Sequence, residues 1–512
     1  MAIKVILLVV FFGLMIGIGL YCRKHSTNVN GFVLGGRSVG PWLTAFAYGT
    51  SYFSAVIFVG YAGQFGWKYG ISATWAGIGN ALLGSLLAWV VLGRRTRIMT
   101  QYLDSATMPD FFGKRFNSNA LKIAASVITF IFLIPYTASL YNGLSRLFKM
   151  AFSIDYSVCV IVMAVLTAIY VTAGGYMATA INDFIQGCIM LVGIVAVIIA
   201  VLASKGGFMA AYQGMAQVVD TSVTDIPGMF ASFFGPDPIN LLGVVVLTSL
   251  GTWGLPQMVQ KFYAIRSEKS IDTGTIVSTF FALIVAGGCY FLGGFGRLFC
   301  TSEEVAANGY DSIVPTMLSG LPDILIAVVI VLVLSASMST LSSLVLTSSS
   351  TLTLDFIKGT VVKDMDEKKT VFIMRVLLVV FIAISVVIAI VQYKSSVSFI
   401  AQLMGVSWGA LAGAFLAPFL YGLYWKGATA AGCWVSFLFS SIVMVLNIFF
   451  RGSFPTLIQS PINCGAFCMI AGLVIVPVVS VVTPKPDKKI VDGAFAVYKK
   501  KVLVEQSQSL ED

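Results

Sequence analysis

The sequence predicts an all-α polytopic membrane protein, and three observations carry that prediction. Hydrophobic residues make up 58% of the 512-residue chain and charged residues 11%. Apolar runs of about twenty residues, enough to cross a bilayer as a helix, recur from end to end. These runs are continuous, whereas a membrane β-barrel would alternate in segments of roughly ten residues. The formal net charge of +10 does not point to nucleic acid. The Lys and Arg residues gather at the ends of the apolar runs, the pattern that orients helices in a lipid bilayer.

About 13 transmembrane helices are expected, at 3–22, 42–66, 71–93, 122–145, 156–175, 184–203, 238–259, 273–296, 323–350, 371–392, 396–423, 428–450 and 461–482. The opening run is too long for a signal peptide, lacks a small-residue cleavage site and ends in Arg23-Lys24, so it reads as a retained helix. With the N-terminus outside, 24 of the 32 basic residues fall in inside loops, Lys261 among them, which predicts a cytoplasmic C-terminus in a plasma-membrane protein. The outside loop 204–237 is expected to hold a short surface helix, and the polar tail to be partly disordered. All eight cysteines lie within or near apolar segments and read as packing residues rather than disulfides or a metal cluster. His25 reads as plain surface.

Two spans have unusual interiors. The second carries Gly49, Thr50, Ser51, Gly60 and Gly63, and the seventh carries Gly251, Gly254 and Pro256. Glycine weakens a helix and proline removes a backbone donor, so each is a candidate broken helix. Breaks at corresponding places in two halves point to a transporter's midplane site. The second and seventh spans run in opposite directions, which predicts a 5+5 inverted repeat. The division is an extra helix and basic loop at 1–40, a first repeat at 41–203, an external loop at 204–237, a second repeat at 238–423, two further helices at 424–483 and a tail at 484–512.

The ninth span contains LSASMSTLSSLVLTSSSTLT at 334–353, crowded with hydroxyls and free of charge. Small hydroxyl residues let helices pack closely and hydrogen-bond across the contact. They also suit a cation site of neutral oxygens, and both readings stand on spacing alone. The 22 acidic residues all read as loop, tail or span-end residues. A divalent cation or an acidic proton relay is therefore not expected at the membrane centre. A monovalent cation could instead be held by unwound backbone carbonyls and hydroxyls, with Ser339, Thr340 and Ala336 on one helix face. No HExxH, nucleophile elbow or Walker loop is present, so the chain does not read as an enzyme.

The motifs LGGRSVGPW at 34–42, PDFFGKRF at 109–116, GGYMATAINDFIQG at 174–187, SMSTLSS at 337–343 and FLAPFLYGLYWKGATAAG at 415–432 together resemble the sodium:solute symporter family over nearly the whole chain. The resemblance implies a leucine-transporter-like fold and sodium as coupling ion, with no other cofactor. It places the sodium site on the carbonyls of Thr50, Phe53 and Ala336 and the hydroxyls of Ser339 and Thr340. Asp183 falls on the inner ion path, with helix N-capping ahead of Phe184 as the competing reading. The solute pocket is expected at Tyr52, Ser54, Tyr136, Thr252 and Trp253, each of which could instead be a packing residue. The pattern is similar to the pantothenate and proline branches of the family, although Tyr52, Thr248 and Thr252 depart from the proline pattern. The expected function is sodium-coupled import of a small, carboxylate-bearing organic solute: pantothenate, a monocarboxylate or an amino acid such as proline. The competing classes are a channel and a membrane sensor on the same fold. The chain is expected to work as a monomer.

Overall fold

The computed structural model describes residues 2–362, 364–395 and 400–499, and the side chains of His25 and Tyr52 lie outside that description. Every long element among the described residues is a helix. Ten are long and apolar enough to cross a membrane, or eleven if Pro238–Gly254 and Pro256–Tyr263, bent by 45°, form one span.

Both predicted breaks are present. Helix Pro41–Tyr52 ends where Phe53 turns extended (φ −90°, ψ 123°), and helix resumes at Val56. Helix Pro238–Gly254 ends at an extended Leu255 (φ −82°, ψ 121°), and Pro256 starts the next piece. Proline fits there because the first helical N–H has no intrahelical acceptor to lose.

The fifth and sixth expected spans differ from the sequence reading. They are joined in one 48-residue helix, Tyr156–Ala203, with a kink at Gly175 (φ 57°, ψ −150°) and no intervening loop. Residues 176–183 are therefore helical, and Asp183 lies two turns inside the helix instead of at its start. N-capping by Asp183 is thereby excluded, since an N-cap must precede the first helical turn. The Gly175 backbone is open essentially only to glycine, and an added Cβ would lie 2.9 Å from Phe32. Gly175→Ala should cost about 1–3 kcal/mol in stability, seen as a lower melting temperature in detergent.

The family-like motifs meet in space. Phe112 packs on Phe415 and Phe437, with ring centroids 5.5 and 5.3 Å apart. Arg115 donates to the Gly422 carbonyl at 2.9 Å. Arg37 donates to the backbone of Ser105 and Tyr263, tying the first loop to the second broken helix.

The 204–237 segment does carry a short helix, Phe208–Ala216. Its Asp220 accepts from Ser222 and, at 2.8 Å, from Arg297; these bonds hold the carboxyl below its usual range. In the tail the described residues, 484–499, carry a helix, and residues 500–512 lie outside the described residues. Helix Lys488–Ala496 follows Asp487, and the Tyr498 hydroxyl donates to the Leu423 carbonyl at 2.8 Å. All eight cysteines are free.

Candidate cation and solute site

The first break creates the site. The last carbonyls of a helix have no intrahelical donor. Because Pro41–Tyr52 stops in the protein interior, the Thr50 and Phe53 carbonyls open onto neighbouring helices rather than water. Helix Asp323–Thr351 fills that gap with its hydroxyl face. The Thr340 hydroxyl lies 3.3 Å from the Thr50 carbonyl, 3.0 Å from that of Phe53 and 3.1 Å from that of Ala336. The Ser339 hydroxyl lies 3.2 Å from Thr50 O and 3.0 Å from Ala336 O. All five oxygens expected from the sequence are thus brought together, and Thr50, Ser339 and Thr340 are fully buried.

The proton count matters here. Two hydroxyls carry two protons between them, against three carbonyls with two lone pairs each. The cluster is acceptor-rich and neutral. Ligands at about 2.4 Å from a hard cation would stand about 3 to 3.5 Å from one another, the spacing found here. With no carboxylate in the set, the donor chemistry fits a monovalent ion better than a divalent one.

The expected solute residues divide. Ser54 caps the resumed helix by accepting from Val56 N at 3.2 Å. Tyr136 is buried, packs edge-on to Trp408 at 5.9 Å and neighbours Ser54; its hydroxyl has no hydrogen-bond partner among the described residues. Thr252 donates to the Gly84 carbonyl at 2.9 Å, and the Trp253 indole to Leu83 O at 2.9 Å. Their polar atoms are spent on the adjacent helix, which favours the packing reading for both. Tyr52 occupies the last turn before the break, and its side chain is outside the described residues.

Sequence reasoning missed several residues. The hydroxyls of Tyr61 and Tyr290 and the indole N–H of Trp408 are buried without partners among the described residues. Tyr290 neighbours Asn80, Thr248 and Tyr136, and Tyr61 neighbours Tyr136. A lone Asn80 inside an apolar run was the available signal, since buried amides require partners. Lys261, read from sequence as an inside-loop residue, is 2% exposed and lies 3.6 Å from Asp183 Oδ2. The broken helix carries it inward, where a straight span would have ended before it.

The model of the sodium:solute symporter family matches residues 32–440. The chain belongs to that family. Sodium/proline symporters of Staphylococcus aureus, strains JH9 and NCTC 8325 among them, are 30% identical over 500 residues, covering 96% of this chain and 93% of theirs. A Na+-coupled sialic acid symporter in a substrate-bound outward-open state superposes with a TM-score of 0.74 at 16% identity, covering 95% of this chain and 98% of that one. A nucleobase-cation-symport-1 family transporter in a closed conformation gives 0.50 at 13% identity, covering 92% and 98%. At such identities these likenesses concern the fold alone. Membership makes the chain a sodium-coupled solute transporter of the membrane and not an enzyme.

Proposed function

We propose that this symporter imports a small carboxylate-bearing organic solute, with one sodium ion bound by Thr50, Phe53, Ala336, Ser339 and Thr340. The observation that carries the sodium assignment is the convergence of three carbonyls and two hydroxyls at a helix break, with too few protons to satisfy one another. The solute pocket lies on the same break, formed by Tyr52, Ser54 and Tyr136 together with Tyr61, Asn80, Tyr290 and Trp408. Thr252 and Trp253 brace its wall. The helix resuming at Val56 directs its N-terminal N–H groups toward the break, which favours an anionic group on the solute. Proline has the support of the 30%-identical relatives, and pantothenate and short monocarboxylates share the carboxylate.

The chain crosses the membrane thirteen times in this reading. Helix Tyr156–Ala203 is about 70 Å long, more than twice the hydrocarbon thickness, and divides at Gly175. The 47-residue stretch Val56–Tyr102 divides at Gly70 (φ 65°, ψ −144°). A broken helix then opens each five-span unit, in keeping with a 5+5 inverted repeat. The basic loops favour an outside N-terminus in the plasma membrane, and one chain holds the whole site, in keeping with a working monomer.

The test is uptake of radiolabelled proline, pantothenate and a short monocarboxylate into proteoliposomes under an inward sodium gradient and under potassium. One of the three should accumulate above its external concentration with sodium and fail to do so with potassium. Equal, non-concentrative entry in both salts would instead mark a channel and defeat the symport reading.

A further inference from the structure

One helical turn from the sodium cage, on the same helix face, the chain holds a positive charge of its own. The Lys261 ammonium donates to the Ser343 hydroxyl at 3.0 Å, lies 3.6 Å from Asp183 Oδ2 and sits 5.0 Å from the centre of the Tyr176 ring. Ser343 is four residues beyond Ser339 and contacts Ser51 at 3.0 Å, next to the cage carbonyl of Thr50. The two broken helices and the hydroxyl-rich helix thus meet at this ammonium.

Asp183 is fully buried, and neither of its oxygens has a hydrogen-bond partner among the described residues. The neighbouring Asn182 amide and Gln186 Oε1 are also without partners. A buried ion pair is stabilised when its remaining lone pairs are satisfied, and here they are not. A salt bridge selected for stability alone would be closer and better bonded. A carboxylate, a serine hydroxyl and an aromatic face are, however, suitable partners for a single positive charge.

We infer that Lys261 is a tethered cation filling a second monovalent-cation site, formed by Asp183, Ser343 and Tyr176, and that it limits the chain to one sodium ion per cycle. The inference rests on the sodium cage proposed above. With the lysine in place, the Asp183 charge is already balanced, and a second sodium ion has neither a free carboxylate nor room. Removing only the ammonium leaves a negative site that sodium can occupy.

The experiment counts bound 22Na+ on the purified full chain in nanodiscs for the wild type, Lys261→Met and Lys261→Met/Asp183→Asn. Methionine keeps an unbranched side chain and removes the charge. The wild type should bind one ion with a Hill coefficient of about 1. Lys261→Met should bind two, with sodium and not potassium raising its melting temperature more than in the wild type. The double variant should return to one. Two ions on the wild type, or one on Lys261→Met, overturns the inference. So does failure of Lys261→Met to fold in saturating sodium, because the ion would replace the lost charge. Absence of sodium binding in the wild type would instead refute the symport reading itself.

Discussion

Thr340→Ala is expected to raise the half-saturating sodium concentration about thirtyfold while the chain remains folded. The Thr340 hydroxyl is the one group that approaches all three cage carbonyls, at 3.0 to 3.3 Å. Its loss removes one of the five proposed ligands and leaves those carbonyls facing a small gap. A hydrogen bond to a charged partner contributes about 2 kcal/mol, which converts to the stated factor. The cavity left by one hydroxyl and one methyl group is small, so most of the effect should fall on the ion. Thr340→Ser keeps the oxygen and should stay within about threefold of the wild type, and Ser339→Ala should resemble Thr340→Ala. The measurement is sodium-dependent solute uptake alongside a melting curve in potassium. An unchanged sodium response in Thr340→Ala would remove the hydroxyl from the site.

Gly66→Val is expected to abolish recovery of folded protein. Gly66 lies on the resumed half of the first broken helix, where a Cβ would stand 1.9 Å from the Gly293 carbonyl oxygen. The reciprocal Cβ on Gly293 would stand 2.1 Å from the Ala62 carbonyl oxygen. Backbone meets backbone, so no rotamer change can make room. Close approach of this kind is how helices associate in lipid, where the hydrophobic effect does not drive them together. Overpacking costs about 1–3 kcal/mol where side chains can shift, and the cost here should exceed that range. Gly287→Ala is the control: it lies on the same Glu268–Gly293 helix, and its added Cβ meets nothing within 4 Å. Size-exclusion profiles of the two variants should differ sharply. Equal monodisperse peaks would show that this contact does not hold the helices together.

The cage and the glycine contact show different degrees of legibility in sequence. The first break and the shared face of Ala336, Ser339 and Thr340 could be named because a helix break and a hydroxyl-rich helix are local properties, written in Gly, Ser and Thr, whereas the Thr50 and Phe53 carbonyls were supplied by the family resemblance. Tyr61, Tyr290 and Trp408 could not be grouped with Asn80, because each looks like an ordinary packing residue until several helices meet, and the lone amide does not name its neighbours. Lys261 was misplaced for a related reason. Loop and span are assigned from hydropathy along the chain, and a short helix after a break can carry a charge inward past the point where a straight span would end. Asp183 reads as a helix start because Thr179, Asn182 and Asp183 interrupt the apolar run like a loop, whereas the helix continues through 176–183 after the kink at Gly175.

The sequence by itself determined that the chain is helical, embedded in a membrane and interrupted at two places, since these follow from the composition and the backbone limits of glycine and proline. Only the tertiary structure decided the distances between the oxygens, which polar atoms are left over and where the buried charge resides. Those depend on distances between helices far apart in sequence, and in a low-dielectric interior a difference of one ångström separates a satisfied polar group from a ligand in search of an ion.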